Sequence, residues 1–149
     1  MTSIFLDSNI WLRLFLRDEE NQYQSCHKLL TQINEGYFQP STSTIVFLEV
    51  NYVLRSFYKL THEKTLLYLS NIKETRNITV YEETDLNRAL AYYKDFKLKF
   101  TDCLIASQLK KGITLLTFDN EFRKLKDINS QTPSEFLRSF MKNSGTGVE

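Results

Sequence analysis

Apolar and polar positions along this chain fall into blocks that read as strands followed by helices. Ile4 to Leu6 is a short apolar run ending at Asp7, the pattern of a buried strand. Ile10 to Arg17 then carries Trp11, Leu14 and Phe15 at helical spacing. After the polar break Asp18-Glu19-Glu20-Asn21, a second helix runs through Cys26, Leu29, Leu30 and Ile33 and stops at Gly36. Tyr37 to Gln39 reads as a short strand, and Pro40 to Thr44, rich in Ser and Thr, as a turn. Ile45 to Tyr58 reads as one long apolar helix. Thr61 is placed to cap a helix over Glu63 to Lys73 that buries Leu66, Leu67 and Leu69. Lys64 stands where a capping box would carry Glu or Gln.

Ile78 to Tyr81 is strand-like, and Asp85 to Phe96 is helical with Leu86, Ala89, Leu90 and Tyr93 on one side. Thr101 to Lys111 reads as a helix ending at Gly112. Ile113 to Thr117 is the clearest strand, followed by Asp119 and a short helix with Phe122 and Leu125. Thr132-Pro133-Ser134-Glu135 is a capping box that starts a last helix over Phe136 to Met141. Strands alternating with helices predict βα units and a mostly parallel sheet covered on both faces. Sites in such folds lie at the carboxyl ends of the strands, and Asp7 and Asp119 each fall just past one.

Composition narrows the class. The 149 residues suit one domain, read as 1–141 with a tail over 142–149. At 42% hydrophobic and 13% aromatic, with Gly 4 and Pro 2, the chain can bury a core and is not loop-dominated. A net charge of +1 excludes a strongly basic coat for nucleic acid, though not a local basic surface. Cys26 and Cys103 form no CxxC pair, so no zinc or redox motif is present, and Cys103 in an apolar run reads as a buried thiol. No apolar run approaches the ~18 residues of a membrane span, and no signal peptide is apparent. A cytoplasmic setting without membrane contact is the expectation.

Four carboxylates carry the chemistry. On a helix, the neighbours of Glu49 at three and four residues are Ile45, Val46, Tyr52 and Val53, all apolar or aromatic. A carboxylate on such a stripe is costly unless a charge compensates it, or unless it sits at the stripe's edge. Asp102 opens a helix, and Asp7 and Asp119 precede helices, so each also fits a helix-capping or dipole role. If the four converge, they repel one another unless cations neutralise them. Hard oxygen donors of this kind suit Mg²⁺ or Mn²⁺ rather than Zn²⁺. His27 and His62 read as surface residues.

Phe5-Leu6-Asp7-Ser8-Asn9-Ile10 resembles the opening Asp-Thr/Ser-Asn motif of PIN domains, especially VapC-type toxins. Phe47-Leu48-Glu49-Val50-Asn51-Tyr52-Val53-Leu54, Phe100-Thr101-Asp102-Cys103-Leu104-Ile105-Ala106 and Leu115-Leu116-Thr117-Phe118-Asp119-Asn120-Glu121-Phe122 resemble the second, third and fourth acidic motifs. Thr132-Pro133-Ser134-Glu135-Phe136-Leu137 is similar to a common ending of that family, so the resemblance spans about Ile4 to Leu137. Ser8 and Cys103 stand where Thr and Ala are frequent, and neither removes a carboxylate. The resemblance implies an α/β fold: a three-layer α/β/α sandwich with a central, mostly parallel five-stranded sheet. It also implies an endoribonuclease using Mg²⁺ or Mn²⁺, leaving a 5′-phosphate and a 3′-hydroxyl, often a toxin held by an antitoxin protein and often a homodimer.

On that reading Asp7, Glu49, Asp102 and Asp119 are both the catalytic and the metal-binding set. Asn9 is placed to orient Asp7 or a water at the ion, and Thr117 to bind a carboxylate or the scissile phosphate. Between Lys94 and Lys126 stand eight basic residues (Lys94, Lys97, Lys99, Lys110, Lys111, Arg123, Lys124, Lys126) against four acids (Asp95, Asp102, Asp119, Glu121). Lys110, Lys111, Arg123 and Lys124 are the expected RNA contacts, unless these charges serve only solubility. Of the adjacent Tyr92 and Tyr93, at least one should point outward, a position suited to a dimer or antitoxin contact. The rivals are a non-catalytic PIN-like module binding RNA or protein, a housekeeping RNA-processing nuclease, and a nuclease acting on DNA or flaps. A receiver-type phosphotransfer domain is disfavoured, because Asp7 stands alone after the first strand and Glu49 reads as helical.

Overall fold

A computed structural model describes residues 1–144. Five strands, β1 (Thr2–Leu6), β2 (Phe38–Ser43), β3 (Thr79–Tyr81), β4 (Ile113–Leu116) and β5 (Asn129–Gln131), form one sheet in the order β3-β2-β1-β4-β5. All four pairings are parallel. Among the described residues seven α-helices connect and cover them: α1 (Ser8–Leu16), α2 (Glu20–Asn34), α3 (Thr44–Tyr52), α4 (His62–Lys73), α5 (Leu86–Phe96), α6 (Phe100–Gln108) and α7 (Pro133–Ser144). Ile4, Phe5 and Leu6 are all buried, although successive strand residues face opposite ways. Both faces of the sheet are therefore covered, which gives the three-layer α/β arrangement expected from the sequence.

The topology places the site. The chain builds β1, β2 and β3 to one side, then returns to lay β4 and β5 on the other side of β1. Strand order reverses between β1 and β4, and the crevice beyond the carboxyl ends of those two strands is where such folds bind ligands. The backbone N–H of Asp7 donates to the carbonyl of Leu116 at 3.1 Å, so the two strand ends are tied together there.

Several elements depart from the sequence expectation. Pro40 to Ser43 is not a turn but the second half of β2. The hydroxyls of Ser41 and Thr42 donate to the carbonyls of Ile4 (2.8 Å) and Leu6 (3.0 Å), which lets polar residues be buried in the sheet. Pro40 is tolerated because β3 begins pairing only at Ser41, so no N–H is needed from it on that side. The helix read over Ile45 to Tyr58 ends at Tyr52 and widens into a π-helical turn, Val53–Phe57, closed by Tyr58 N–H to the Val53 carbonyl at 3.0 Å. The helix read to Lys111 stops at Gln108. The Arg88 guanidinium takes up the freed carbonyls of Ser107 (3.4 Å) and Leu109 (2.9 Å) instead. β5 has no counterpart in the sequence pattern, because Asn129-Ser130-Gln131 has no apolar residue to announce an edge strand.

Two stripes also turn out differently. On α4, Leu66 and Leu67 are exposed, and Thr65 and Ile72 face the core. On α5, Leu86, Leu90 and Tyr93 are exposed, and Ala89 and Tyr92 are buried. The caps hold: Thr61 Oγ1 accepts from Lys64 N–H, and Thr132 and Glu135 exchange the two bonds of a capping box at 2.9 and 3.2 Å. α7 runs to Ser144, past the boundary set at Met141; the rest of the expected tail, 145–149, lies outside the described residues. Among the described residues no helix is long and apolar enough to cross a membrane.

Candidate active site at the carboxyl ends of β1 and β4

β1 delivers Asp7 into the crevice as the N-cap of α1. Its Oδ1 accepts from Ser8 N–H at 2.8 Å. β4 delivers Thr117 one residue past its end, and Asp119 follows as the cap of a 3-10 turn, Asn120–Lys124, accepting from Glu121 N–H at 2.9 Å. The capping and site readings of these two Asp residues are thus compatible. Asp102 lies in the first turn of α6, where Lys99 is the cap residue, and the Asp102 side chain is buried at 5% exposure without capping the helix. Glu49 projects from α3, half-buried, in a helix whose Val46 and Val50 are core.

Thr117 joins the pieces. Its hydroxyl donates to Asp7 Oδ2 at 2.7 Å and accepts from Asn9 Nδ2 at 3.2 Å and from Asp119 N–H at 3.0 Å. Asn9 Oδ1 in turn accepts from Phe118 N–H at 3.2 Å, which fixes the amide's orientation.

The electrostatics follow from burying like charges. Burial pushes the Asp7 carboxyl upward against the hydrogen bonds of Thr117 and Ser8, and the charge of Asp119 adds to the rise. Glu49 is raised to about 7, first by burial, then by the charges of Asp7 and Asp102. Asp102 is raised to about 7 by burial, then by Asp7 and Asp119. Glu49 Oε1 is buried with no hydrogen-bond partner. Such an orphan in a low-dielectric site is costly unless a cation takes it up. Among the described residues no three of these side chains stand close enough, as they are, to enclose a metal ion. They nevertheless act on one another electrostatically, and a divalent cation is the hard, charge-neutralising partner that oxygen donors of this kind fit.

The structure therefore brings together Asp7, Glu49, Asp102, Asp119, Asn9 and Thr117. The expected RNA contacts fare less well. Lys110 and Lys111 precede β4, at the amino ends of β4 and β5, one strand length or about 13 Å from the acidic end. They do not border the carboxylates, because the helix that carries Asp102 at its start carries them away past its finish. Arg123 and Lys124 do lie in the turn after Asp119, but they are paired with Glu135 and Glu121. The cation that acts on Asp7, Glu49 and Asp102 is Lys99. Its signal in the sequence is its position three residues ahead of Asp102, one turn away on the same helix start. His27, His62 and Tyr93 are exposed, and Tyr92, Cys26 and Cys103 are buried.

Comparison with known proteins agrees with this geometry. The PIN-domain family model matches residues 4–128. No curated protein sequence matches significantly. The fold is similar to that of VapBC2 from Rickettsia felis, crystallised with a DNA fragment from its promoter: TM-score 0.59, 17% identity, covering 87% of this chain and 97% of that one. A toxin-antitoxin complex from Klebsiella pneumoniae gives a TM-score of 0.60 at 20% identity, covering 88% and 98%. FitAcB from Neisseria gonorrhoeae gives 0.57 at 19%, also covering 88% and 98%. At such identities the structural likeness speaks to fold, and the family match speaks to descent: the chain belongs to the PIN-domain family, a family of nucleases.

Proposed function

We propose that the protein is an endoribonuclease dependent on Mg²⁺ or Mn²⁺, cytoplasmic, and the toxin of a toxin-antitoxin pair. The observation that carries the metal-dependent nuclease reading is the buried, unpartnered Glu49 Oε1 within a set of carboxylates that raise one another's proton affinity. Asp7, Glu49, Asp102 and Asp119 would hold the ion. Once bound, it would acidify a water and neutralise charge at the scissile phosphate.

The chain's own residues do the rest. Thr117 fixes the Asp7 carboxylate through Oδ2, and Asn9 holds Thr117 from the other side. The Ser8 N–H occupies Oδ1, so the carboxylate plane cannot swing. Lys99 supplies positive charge beside three of the acids and offers a contact to a phosphate. Asp7 and Asp102 are shielded from bulk water, while Glu49 and Asp119 are only partly buried.

Attack by an activated water on phosphorus, with the P–O3′ bond breaking and the 3′-oxygen leaving as a hydroxyl, gives a 5′-phosphate and a 3′-hydroxyl. Attack by the RNA's own 2′-hydroxyl leaves a 2′,3′-cyclic phosphate and needs no carboxylate quartet. End analysis of the products distinguishes the two, and cyclic phosphate ends would overturn the proposal.

The partner reading draws on the structural neighbours, two of which are described as toxin-antitoxin complexes or VapBC pairs. It also draws on surface: α3, the π-helical turn and α4 pack on one another yet leave Leu48, Tyr52, Phe57, Leu66 and Leu67 exposed. Exposed apolar side chains in such number suit a second chain, either an antitoxin or another copy in a homodimer. Co-expression with the product of an adjacent small open reading frame should yield a stable complex in which cleavage is suppressed.

A further inference from the structure

The connection between α5 and α6 is short, and it is bent by Lys97, whose backbone takes a left-handed φ of 57°. The bend sets Tyr93 of α5 against Phe100 of α6 edge to face, ring centroids 5.7 Å apart. Core aromatic pairs in this protein are shielded: Phe38 and Phe136, also edge to face, are 1% and 5% exposed. Tyr93 and Phe100 are 52% and 37% exposed. With Lys97, the buried Leu98 and Lys99 they line an open cleft of about 630 Å³. Among the described residues neither Lys97 nor Lys99 is held in an ion pair.

Two solvent-facing rings flanked by two free ammonium groups match what a single strand of nucleic acid presents, since base faces stack on rings and phosphates pair with cations. A duplex hides its base faces inside the stack and cannot use such a platform. The cleft also adjoins the acidic centre. Phe100 and Asp102 share the first turn of α6, and Lys99 belongs both to the cleft and to the electrostatic surroundings of Asp7, Glu49 and Asp102.

We propose that this cleft is a subsite for single-stranded RNA, in which an unpaired base stacks on the face of one ring of the Tyr93–Phe100 pair and meets the other edge-on, while Lys97 and Lys99 hold the adjoining phosphates. The strand then leads directly to the carboxylates. The inference rests on the nuclease reading and adds to it a binding subsite and a path for the strand, which enters from the α5–α6 side.

Fluorescence anisotropy of a labelled, unstructured RNA oligonucleotide, in EDTA so that cleavage is off, tests it on the full chain. Wild type should bind the single strand more tightly than a blunt duplex of the same sequence. Tyr93→Ala and Phe100→Ala should each weaken single-strand binding about tenfold. Lys97→Ala/Lys99→Ala should weaken it and flatten the salt dependence, by about 0.7 in log–log slope for each phosphate no longer neutralised. Phe100→Leu, which keeps apolar volume without a ring, serves if Phe100→Ala does not fold, and should bind as weakly. Undiminished single-strand affinity in the folded ring variants overturns the subsite, as does equal or tighter binding of the duplex. Loss of a protein complex in those variants with RNA affinity intact also overturns it and assigns the rings to a protein partner. Cleavage of the same RNA by wild type in Mn²⁺, run alongside, separates the two levels: cleavage without ring dependence removes the subsite alone, and absence of cleavage removes the nuclease reading.

Discussion

A threonine hydroxyl has one proton to donate and two lone pairs to share, and Thr117 uses all three on the residues that shape the site. The direction of its proton follows from its partners: Asn9 Nδ2 and Asp119 N–H can only donate, so the hydroxyl must donate to Asp7. Thr117→Val keeps the shape and leaves Asp7 Oδ2 without its donor. It should lower metal affinity or activity about 10–100-fold, whereas Thr117→Ser should retain most of both; Mn²⁺ titration with parallel cleavage assays reads the difference. Asp102 and Glu49 have a second consequence. Unfolded, they lose protons near 3.8 and 4.5; folded and metal-free, they keep them to about 7. The folded state therefore binds more protons across that window, and stability falls as pH rises through it. Thermal unfolding in EDTA should give a lower Tm at pH 8 than at pH 5.5, with Mn²⁺ restoring more at pH 8 than at pH 5.5. Asp102→Asn should flatten the EDTA profile, and a Tm that rises with pH would contradict the account. The acids are legible in the sequence from their position after strands and on an apolar stripe. For Lys99 the sequence offers only its place one turn ahead of Asp102, and the fold is needed to show that this lysine faces the carboxylates.

At the level of elements, local chemistry decides where pattern is silent. The capping box at Thr132 is readable because its two bonds are made within four residues, and the structure forms both. Thr132→Ala should cost about 1 kcal/mol, seen as a lower urea midpoint with unchanged m-value. No change would mean α7 is held by Phe136 and Leu137 alone. The end of β2 is not readable, since Ser41 and Thr42 look like turn residues until β1 offers its carbonyls. Likewise Leu86, Leu90 and Tyr93 do share one helical stripe, yet that stripe faces solvent rather than the core. Periodicity says that side chains share a face, and only the partner of that face says whether it is buried.

Across the whole molecule, the order β3-β2-β1-β4-β5 turns residues far apart in sequence into neighbours: Asp7 and Thr117 touch across the β1–β4 switch point. The βα alternation makes that crevice foreseeable, and the Thr–Asp bond across it is what the structure adds. The same topology sends Lys110 and Lys111 to the opposite end, so the basic excess counted along the segment does not form one surface around the site. The exposed apolar side chains of α3, the π-helical turn and α4, where the proposed protein partner would bind, stand apart from the set of four carboxylates. That those carboxylates form one divalent-metal site for cutting RNA is tested most directly by incubating purified, folded protein with labelled RNA in Mn²⁺ and in EDTA, with Asp102→Asn in parallel. The account predicts discrete cleavage that requires the metal and is lost in Asp102→Asn; cleavage that persists in EDTA or in the folded variant, or no cleavage by an inhibitor-free wild type, would contradict it.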